Sequence, residues 1–229
     1  MRPDEFEDLV GRGHKARYPA GAFLMRQGEP SDCVMVLLHG HVTIHSGDHG
    51  LMAVRRRGEL LGEFAFFQDG LRTASVRAHD DVTVVKIPGR HFLAYLDANP
   101  RIQRDLLRLA IAKLRTAESR RTKASSGAAL VRALAQAAEG FAEDPTTGPL
   151  LVPLTQAELG GLAGISDLSV VRGMKVLRDQ RVVDARARKG SVLIPCLACL
   201  RRAALSTQKY GKLPGSINGC GGAGSCPEG

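Results

Sequence analysis

Apolar and polar positions alternate in short runs over residues 18–95 of this 229-residue chain. In "GHVTIHSGD" (40–48), Val42 and Ile44 fall on one face of an extended strand, and His41, Thr43 and His45 on the other, because successive strand side chains point to opposite faces. "VTVVKIP" (82–88) is a second β-branched run. Gly28, Gly40, Gly47, Gly50, Gly58, Gly62 and Gly70 punctuate the segment at strand spacing, which predicts a sandwich or small barrel.

The period then changes. "NPRIQRDLLRLAIAKLRTAESRRTKA" opens with Asn99 as a cap and Pro100 at the first helical position. Leu107, Ala110, Leu114 and Ala117 recur at helical spacing, and Ile102, Leu106 and Leu109 line a second stripe. Two apolar stripes predict two partners. One is the chain's own β region; the other is the same helix of a second copy, packed as a coiled coil in a homodimer. "KASSG" (123–127) reads as a hinge. A further helix, "AALVRALAQAAEGF", follows, and then "EDPTTGP" as a loop.

Residues 154–183 carry two helix starts. Thr155 and Glu158 fit a capping box. Leu159, Leu162 and Ala163 supply the first helix's inner face, and Gly164 ends it where a turn needs positive φ. Ser166 caps the second helix, with Val170, Val171, Met174 and Leu177 on its apolar side. Two short helices joined through glycine form a helix-turn-helix. "RVVDARARKGSVLIP" predicts two strands turning at Lys189–Gly190, a wing.

In such a unit the second helix enters the major groove of double-stranded DNA by its N-terminal part. Asp167, Ser169, Val170 and Arg172 are the candidates for base contact. Arg172 is the best of them, since a guanidinium binds guanine O6 and N7 together. Lys175, Arg178, Arg186, Arg188 and Lys189 suit phosphates, as do the amides at the capped helix starts around Thr155, Gln156 and Ser166.

Charge agrees with this division. Residues 1–98 carry 12 basic and 13 acidic groups, residues 99–144 carry 9 and 5, and residues 145–229 carry 11 and 5. The net +9 therefore sits in the second half, which favours a polyanionic partner. Aromatic residues are only 4% and Trp is absent, so the core is aliphatic. No run has the 18 or so apolar residues of a membrane span, and the acidic N-terminus lacks a signal peptide's apolar stretch. The expected location is the cytoplasm, away from membranes.

"GEFAFFQDGLRTA" (62–74) holds one acid, Glu63, and one cation, Arg72, among apolar and turn residues. A phosphodiester held in a β domain needs such a cation: Arg gives two parallel charge-assisted bonds, and amides of a short helix or nest complete the cradle. A neighbouring ribose hydroxyl needs an acceptor, which Glu63 provides. Ala65, Thr73 and Ala74 are small enough for the backbone to approach a ligand. At these residues the chain resembles the cyclic-nucleotide-binding domain, whose cassette reads G-E-x-A followed, about nine positions after the Glu, by R-[TSA]-A. Gly62, Glu63, Ala65, Arg72, Thr73 and Ala74 match it, with Phe64 at the open position. "YPAGAFLMRQGEPSD" (18–32) resembles the strand and turn that open such domains.

With the hinge and the helix-turn-helix, the chain to about residue 195 resembles bacterial transcription regulators of the cAMP receptor protein and FNR family. The resemblance implies an α+β chain and no enzymatic activity. It divides into a jelly-roll-like β-roll sensor (1–98), a dimerisation helix and hinge (99–126), a winged helix-turn-helix (127–200) and a flexible tail (201–229). It further implies that Glu63 takes the ribose 2′-hydroxyl and that Arg72 with Thr73 takes the cyclic phosphate of cAMP or cGMP. The long helix, at Thr116, Ala117 and Glu118, would close on the base, and RNA polymerase would be a further partner. In cAMP-responsive relatives that helix supplies Thr-Ser, where this chain has Ala117 and Glu118. A Thr beside the phosphate Arg is also found in cGMP-selective domains. Relatives often begin base readout with Arg-Glu; here those places hold Asp167 and Leu168, and only Arg172 keeps its counterpart. Gly173, inside the recognition helix, costs roughly 1 kcal/mol against Ala.

The alternative is the same architecture sensing redox or a metal through Cys196, Cys199, Cys220 and Cys226, with no cyclic nucleotide. Their C-x2-C-x20-C-x5-C spacing fits no established metal motif. His39, His41 and His45 read as a solvated strand face rather than a metal site.

Overall fold

In the computed structural model, which describes residues 2–47, 50–67, 70–121, 125–142, 149–184 and 190–210, a helix α1 (Pro3–Gly11) precedes eight strands. These are β1 (His14–Tyr18), β2 (Phe23–Met25), β3 (Cys33–His39), β4 (Val42–Ser46), β5 (Gly50–Arg55), β6 (Leu60–Leu61), β7 (Ser75–Ala78) and β8 (Val82–Pro88). They form two four-stranded sheets, ordered β1-β8-β3-β6 and β2-β7-β4-β5. This is the two-sheet arrangement that the alternation predicts, and the β-roll that the resemblance implies.

Strand period decides the packing. Cys33, Met35 and Leu37 of β3 point inward to Leu24, Met25, Val42, Val76 and Ala78 of the other sheet. The intervening Val34 and Val36 point outward, yet they are also buried, together with Val85 and Ile87 of β8. What covers that outer face is helical. Leu9 of α1, Phe92, Tyr95 and Leu96 of α2 (Gly89–Ala98), and Ile102 of α3 (Pro100–Arg121) pack there. Strand β3 is therefore apolar on both sides, and the continuous run "CVMVLL" reflects two cores rather than one. Neither α1 nor α2 emerges from the sequence pattern.

Helix α3 uses its two stripes differently. Ile102 is buried and Leu106 half-buried against the β-roll. Leu107, Leu109 and Ile111 are exposed. Leu109 thus parts from Ile102 and Leu106, the other members of its stripe, because the packed contact ends near Leu106. The side chains of Leu114, Thr116, Ala117 and Glu118 lie outside the described residues. At its base, Arg101 forks onto the Glu5 carboxylate of α1, and the Tyr95 hydroxyl donates to the Glu5 carbonyl at 2.9 Å.

The histidines do not share one solvated strand face. His39 ends β3, whereas His41 precedes β4 and lies 2.7 Å from the Asp80 carboxylate. His45 meets the buried Thr43 hydroxyl at 2.9 Å.

The chain divides into two compact units, Met1–Asp48 with Val54–Ser119, and His49–Ala53 with Arg120–Gly229. The second contains α4 (Ser126–Phe141), β9 (Leu150–Val152), α5 (Gln156–Ala163), α6 (Asp167–Asp179), β10 (Val192–Ile194) and α7 (Leu197–Tyr210). Three expectations change here. Ser125 caps α4 through the Ala128 amide at 3.3 Å, so Ser126 and Gly127 are helical rather than hinge. The strand that pairs with β10 along its length is β9, from a stretch with no strand signal, while the described part of the anticipated first wing strand bridges β10 at Asp184 and Leu193. Three residues are too few to carry a period. Residues 201–210, expected to be flexible tail, belong to α7. Leu197, Leu200, Ala203 and Thr207 make its buried stripe, and Arg201 reaches Glu139 of α4 at 3.3 Å. The amide of buried Cys199 donates to the Cys196 sulfur at 3.3 Å, so the Cys196 thiol serves the start of α7. Residues 185–189, with Arg186, Arg188 and Lys189, and the thiols Cys220 and Cys226 lie outside the described residues. Among the described residues, no helix is long and apolar enough to cross a membrane.

Candidate functional site

Strand β6 stops at Gly62, and the chain turns at once into a short 3-10 helix, Glu63–Phe67. Gly62 has φ of +81°, a region that L side chains rarely adopt. A Cβ there would overlap the Arg72 guanidinium and press on the Met25 thioether. Glycine is thus required both for the turn and for the close approach of Arg72.

Arg72 is fastened from the opposite direction. Its amide donates to the Glu29 carbonyl at 2.9 Å, and its own carbonyl accepts from the Gly28 amide at 2.9 Å. One step either side, the Ser31 amide donates to the Gly70 carbonyl at 2.7 Å, and Pro30 bridges Leu71. The turn in "RQGEPS" is therefore what holds the arginine in place. The guanidinium donates to the carbonyls of Cys33 at 2.7 Å and Gly62 at 3.1 Å, and lies 3.5 Å from the Cys33 sulfur. Arg72 is only 6% exposed and Glu63 only 4%.

Among the described residues no carboxylate forms an ion pair with Arg72. Carbonyl groups satisfy its N–H donors without cancelling its charge, and a buried charge without a counter-charge is expensive. An anion brought to this site would be favoured for that reason. Ala65 is buried, Phe64 and Ala74 are half-buried, and Thr73 is exposed at the entry to β7. The Gly70 amide closes the segment on the Ala65 carbonyl at 3.2 Å. Gly62, Glu63, Ala65 and Arg72 are thus brought together as the spacing anticipates. Cys33, Met25, Gly28 and Glu29 were not singled out as site residues; the resemblance of residues 18–32 was a signal for Met25, Gly28 and Glu29, and Cys33 had none. Burial, reinforced by the Asp32 side chain, pushes the Cys33 thiol pKa up, while Arg72 opposes the shift.

In the second unit the helix-turn-helix is built as its caps dictate. Thr155 accepts from the Glu158 amide at 3.2 Å, and Glu158 accepts from the Thr155 amide at 2.8 Å. Gly164 closes α5 in the left-handed conformation, and Ser166 accepts from the Ser169 amide at 3.4 Å. Thr155, Gln156, Ser166, Asp167, Arg172, Lys175 and Arg178 are exposed, and Ser169 is half-buried. Val170 is not available: it is 0% exposed, packed inward with Met174 and Leu177. It sits on the face of α6 opposite Arg172, so its assignment to base contact is corrected. Val171 is the converse case, assigned to the apolar side yet 50% exposed. Gly173 is buried, and a Cβ there would come within 2.6 Å of Leu130 of α4. Its helix penalty is the consequence of that close packing.

Residues 15–99 match the family model of the cyclic nucleotide-binding domain. Along its length the chain is similar to the cAMP-activated global transcriptional regulator CRP of Escherichia coli, 27% identical over 193 residues, 80% of this chain and 90% of that protein. Among solved structures, FixK2 of Bradyrhizobium japonicum matches with a TM-score of 0.66 and 16% identity, over 83% of this chain and 96% of the other. The c-di-GMP responsive global regulator CLP of Xanthomonas campestris matches with a TM-score of 0.64 and 20% identity, over 85% of this chain and 99% of the other.

Proposed function

We propose that this chain, which belongs to the cAMP receptor protein and FNR family of transcription regulators, is a homodimeric switch gated by a cyclic nucleotide, cAMP or cGMP. The observation that carries this reading is the Arg72 guanidinium, buried against neutral carbonyls beside the buried Glu63. A cyclic phosphate supplies the missing negative charge. Arg72 and Thr73 take that phosphate, with amides of the 3-10 helix behind it, and Glu63 accepts from the ribose 2′-hydroxyl. The small residues Gly62, Ala65 and Ala74 leave room for the ligand, with Phe64 at its edge. Thr116, Ala117 and Glu118 on α3 meet the base.

The exposed Leu107 and Ile111 on α3 form the seam between two copies, and Leu114 continues it. Residues 1–98 are the sensor, and the helix-turn-helix that follows α4 is the DNA reader. Thr155, Gln156, Ser166, Lys175 and Lys189 hold phosphates, while Asp167, Ser169 and Arg172 face bases. The ligand acts through its preference for the dimer geometry that fits DNA, which is a population shift. RNA polymerase is the partner on which a bound regulator acts, and the cytoplasm is where it works.

Calorimetry with cAMP and cGMP tests the pocket, with c-di-GMP as the comparison that the CLP relative calls for. One cyclic mononucleotide should bind. Arg72→Ala should lose roughly 1.5–3 kcal/mol of that binding, the scale of a hydrogen bond to a charged group, and Glu63→Gln should lose less. Unchanged affinity in Arg72→Ala, or binding of c-di-GMP alone, overturns the assignment.

A further inference from the structure

Helix α6 presents two faces of opposite character. At about 100° per residue, Val170, Gly173, Met174 and Leu177 fall on one side, and all four are buried. Leu168, Val171, Arg172 and Lys175 fall on the other, within an arc of about 100°. All four are exposed, Leu168 at 60% and Val171 at 50%. A recognition helix that needed only charge and hydrogen bonds would carry polar residues at positions 168 and 171. Instead, two branched aliphatic side chains stand beside Arg172, each a neighbour of another at a spacing of three or four residues.

What covers an apolar pair on this surface must itself be apolar, and must lie within a polyanion, because exposed Arg172, Lys175 and Arg178 follow the pair along α6, with Asp167 the acid before it, and residues 145–229 carry 11 basic against 5 acidic groups. One group in the major groove meets both conditions: the 5-methyl of thymine, which protrudes among base edges and is recognised by apolar contact. We propose that Leu168 and Val171 read thymine methyl groups next to the base pair that Arg172 reads. The inference rests on the reading of α6 as the DNA-recognition helix and adds the base that its apolar half selects. Leu168 lies about 6 Å before Arg172 along the helix axis at 1.5 Å per residue. That is close to two base-pair steps of about 3.4 Å, so the thymine sits within about two base pairs of the arginine's partner. The contact would give a chain with Asp167 and Leu168, in place of an Arg-Glu pair, a sequence preference at those positions.

The test removes the methyl and nothing else. A preferred site is first selected from randomised duplexes with the full chain and its effector. Each thymine of that site is then replaced singly by uracil, which keeps every hydrogen-bonding group of the base. Losing one buried methyl should weaken binding about four-fold per contact, at one or two thymines near the guanine that Arg172→Ala identifies. In Leu168→Ala and Val171→Ala, thymine and uracil sites should bind alike at the position each residue reads. Val171→Ile should restore the difference. Both residues are exposed, so melting temperature should stay at the parent value.

If the parent binds thymine and uracil sites equally while Arg172→Ala still relaxes selection, the methyl readout is wrong and the DNA-recognition reading stands. If the parent selects no site at all, that reading fails and this inference fails with it. Should Leu168→Ala instead reduce the mass of the assembly in light scattering without altering site preference, the apolar pair is a contact between copies and the proposal is overturned.

Discussion

Gly62 and Arg72 form one unit, because the glycine's lack of a side chain is what lets the guanidinium reach the Gly62 carbonyl. Gly62→Ala should therefore act twice. It forces an L side chain into a positive φ, which costs about 1–3 kcal/mol, and it displaces the cation proposed to hold the effector. Urea denaturation should show that loss of stability, and effector binding should fall below detection. Residues on the two sides of α6 should separate in the same clean way. Val170→Ala removes buried apolar volume and should cost about 2 kcal/mol with base preference intact. Arg172→Ala should leave the melting temperature unchanged and relax preference at one base pair, weakening the selected site by about 1–3 kcal/mol. A residue that changed both readouts equally would mean that α6 is oriented otherwise.

At the scale of elements, α3 is the part with two characters. Its first turns are committed to the β-roll through Ile102 and through the Arg101–Glu5 pair, while Leu107, Leu109 and Ile111 are exposed, Leu107 and Ile111 in the seam proposed above. Leu107→Asp should put charges into the seam and yield a monomer by light scattering; an unchanged mass would place the seam elsewhere. The clamp at the base of α3 has its own signature in pH. Hydrogen bonds from Arg101, then from the Arg2 amide, hold the Glu5 carboxyl down to about 2. A carboxylate lowered in the folded state stabilises the fold above its unfolded value, about 4.3. That contribution is lost as pH falls through the window down to about 2. Glu5→Gln should thus be less stable than the parent at about pH 7, and the gap should close between about pH 4.5 and 2. A gap independent of pH would show that the pair contributes packing rather than charge.

For the whole molecule, the separation of charge predicts how DNA binding responds to salt. The net positive charge lies beyond residue 98, so affinity should fall steeply with ionic strength, by about 0.9 logarithmic units per phosphate neutralised. Lys175→Ala should reduce that slope by about one unit per subunit while leaving sequence preference alone, the reverse of Arg172→Ala. A randomised-site selection with both variants at two salt concentrations measures the two effects together. If Lys175→Ala shifted the preferred sequence, the lysine would be reading bases.

Local rules were enough to reveal much of this protein. Alternation and glycine spacing predicted a sandwich or small barrel, because a half-buried strand must place every second residue inside. Thr155, Glu158, Gly164 and Ser166 predicted the helix-turn-helix, because caps satisfy helix ends within a few residues of sequence. Gly62, Glu63, Ala65 and Arg72 marked the cassette through their resemblance to the cyclic-nucleotide-binding pattern. Tertiary structure decided whatever depended on distant partners. Strand β9 takes its identity from β10, some forty residues away, and α7 emerges from a segment read as tail because α4 offers its buried stripe a surface. The carbonyls that hold Arg72 come from Gly62 and Cys33, and its backbone is pinned by Gly28 and Glu29; no local pattern links those residues. Val170 and Val171 are the plainest case. They are adjacent and chemically identical, and the sequence placed both on the apolar side of α6. The rotation of the helix against its neighbours, which only packing sets, buries the first and leaves the second facing outward.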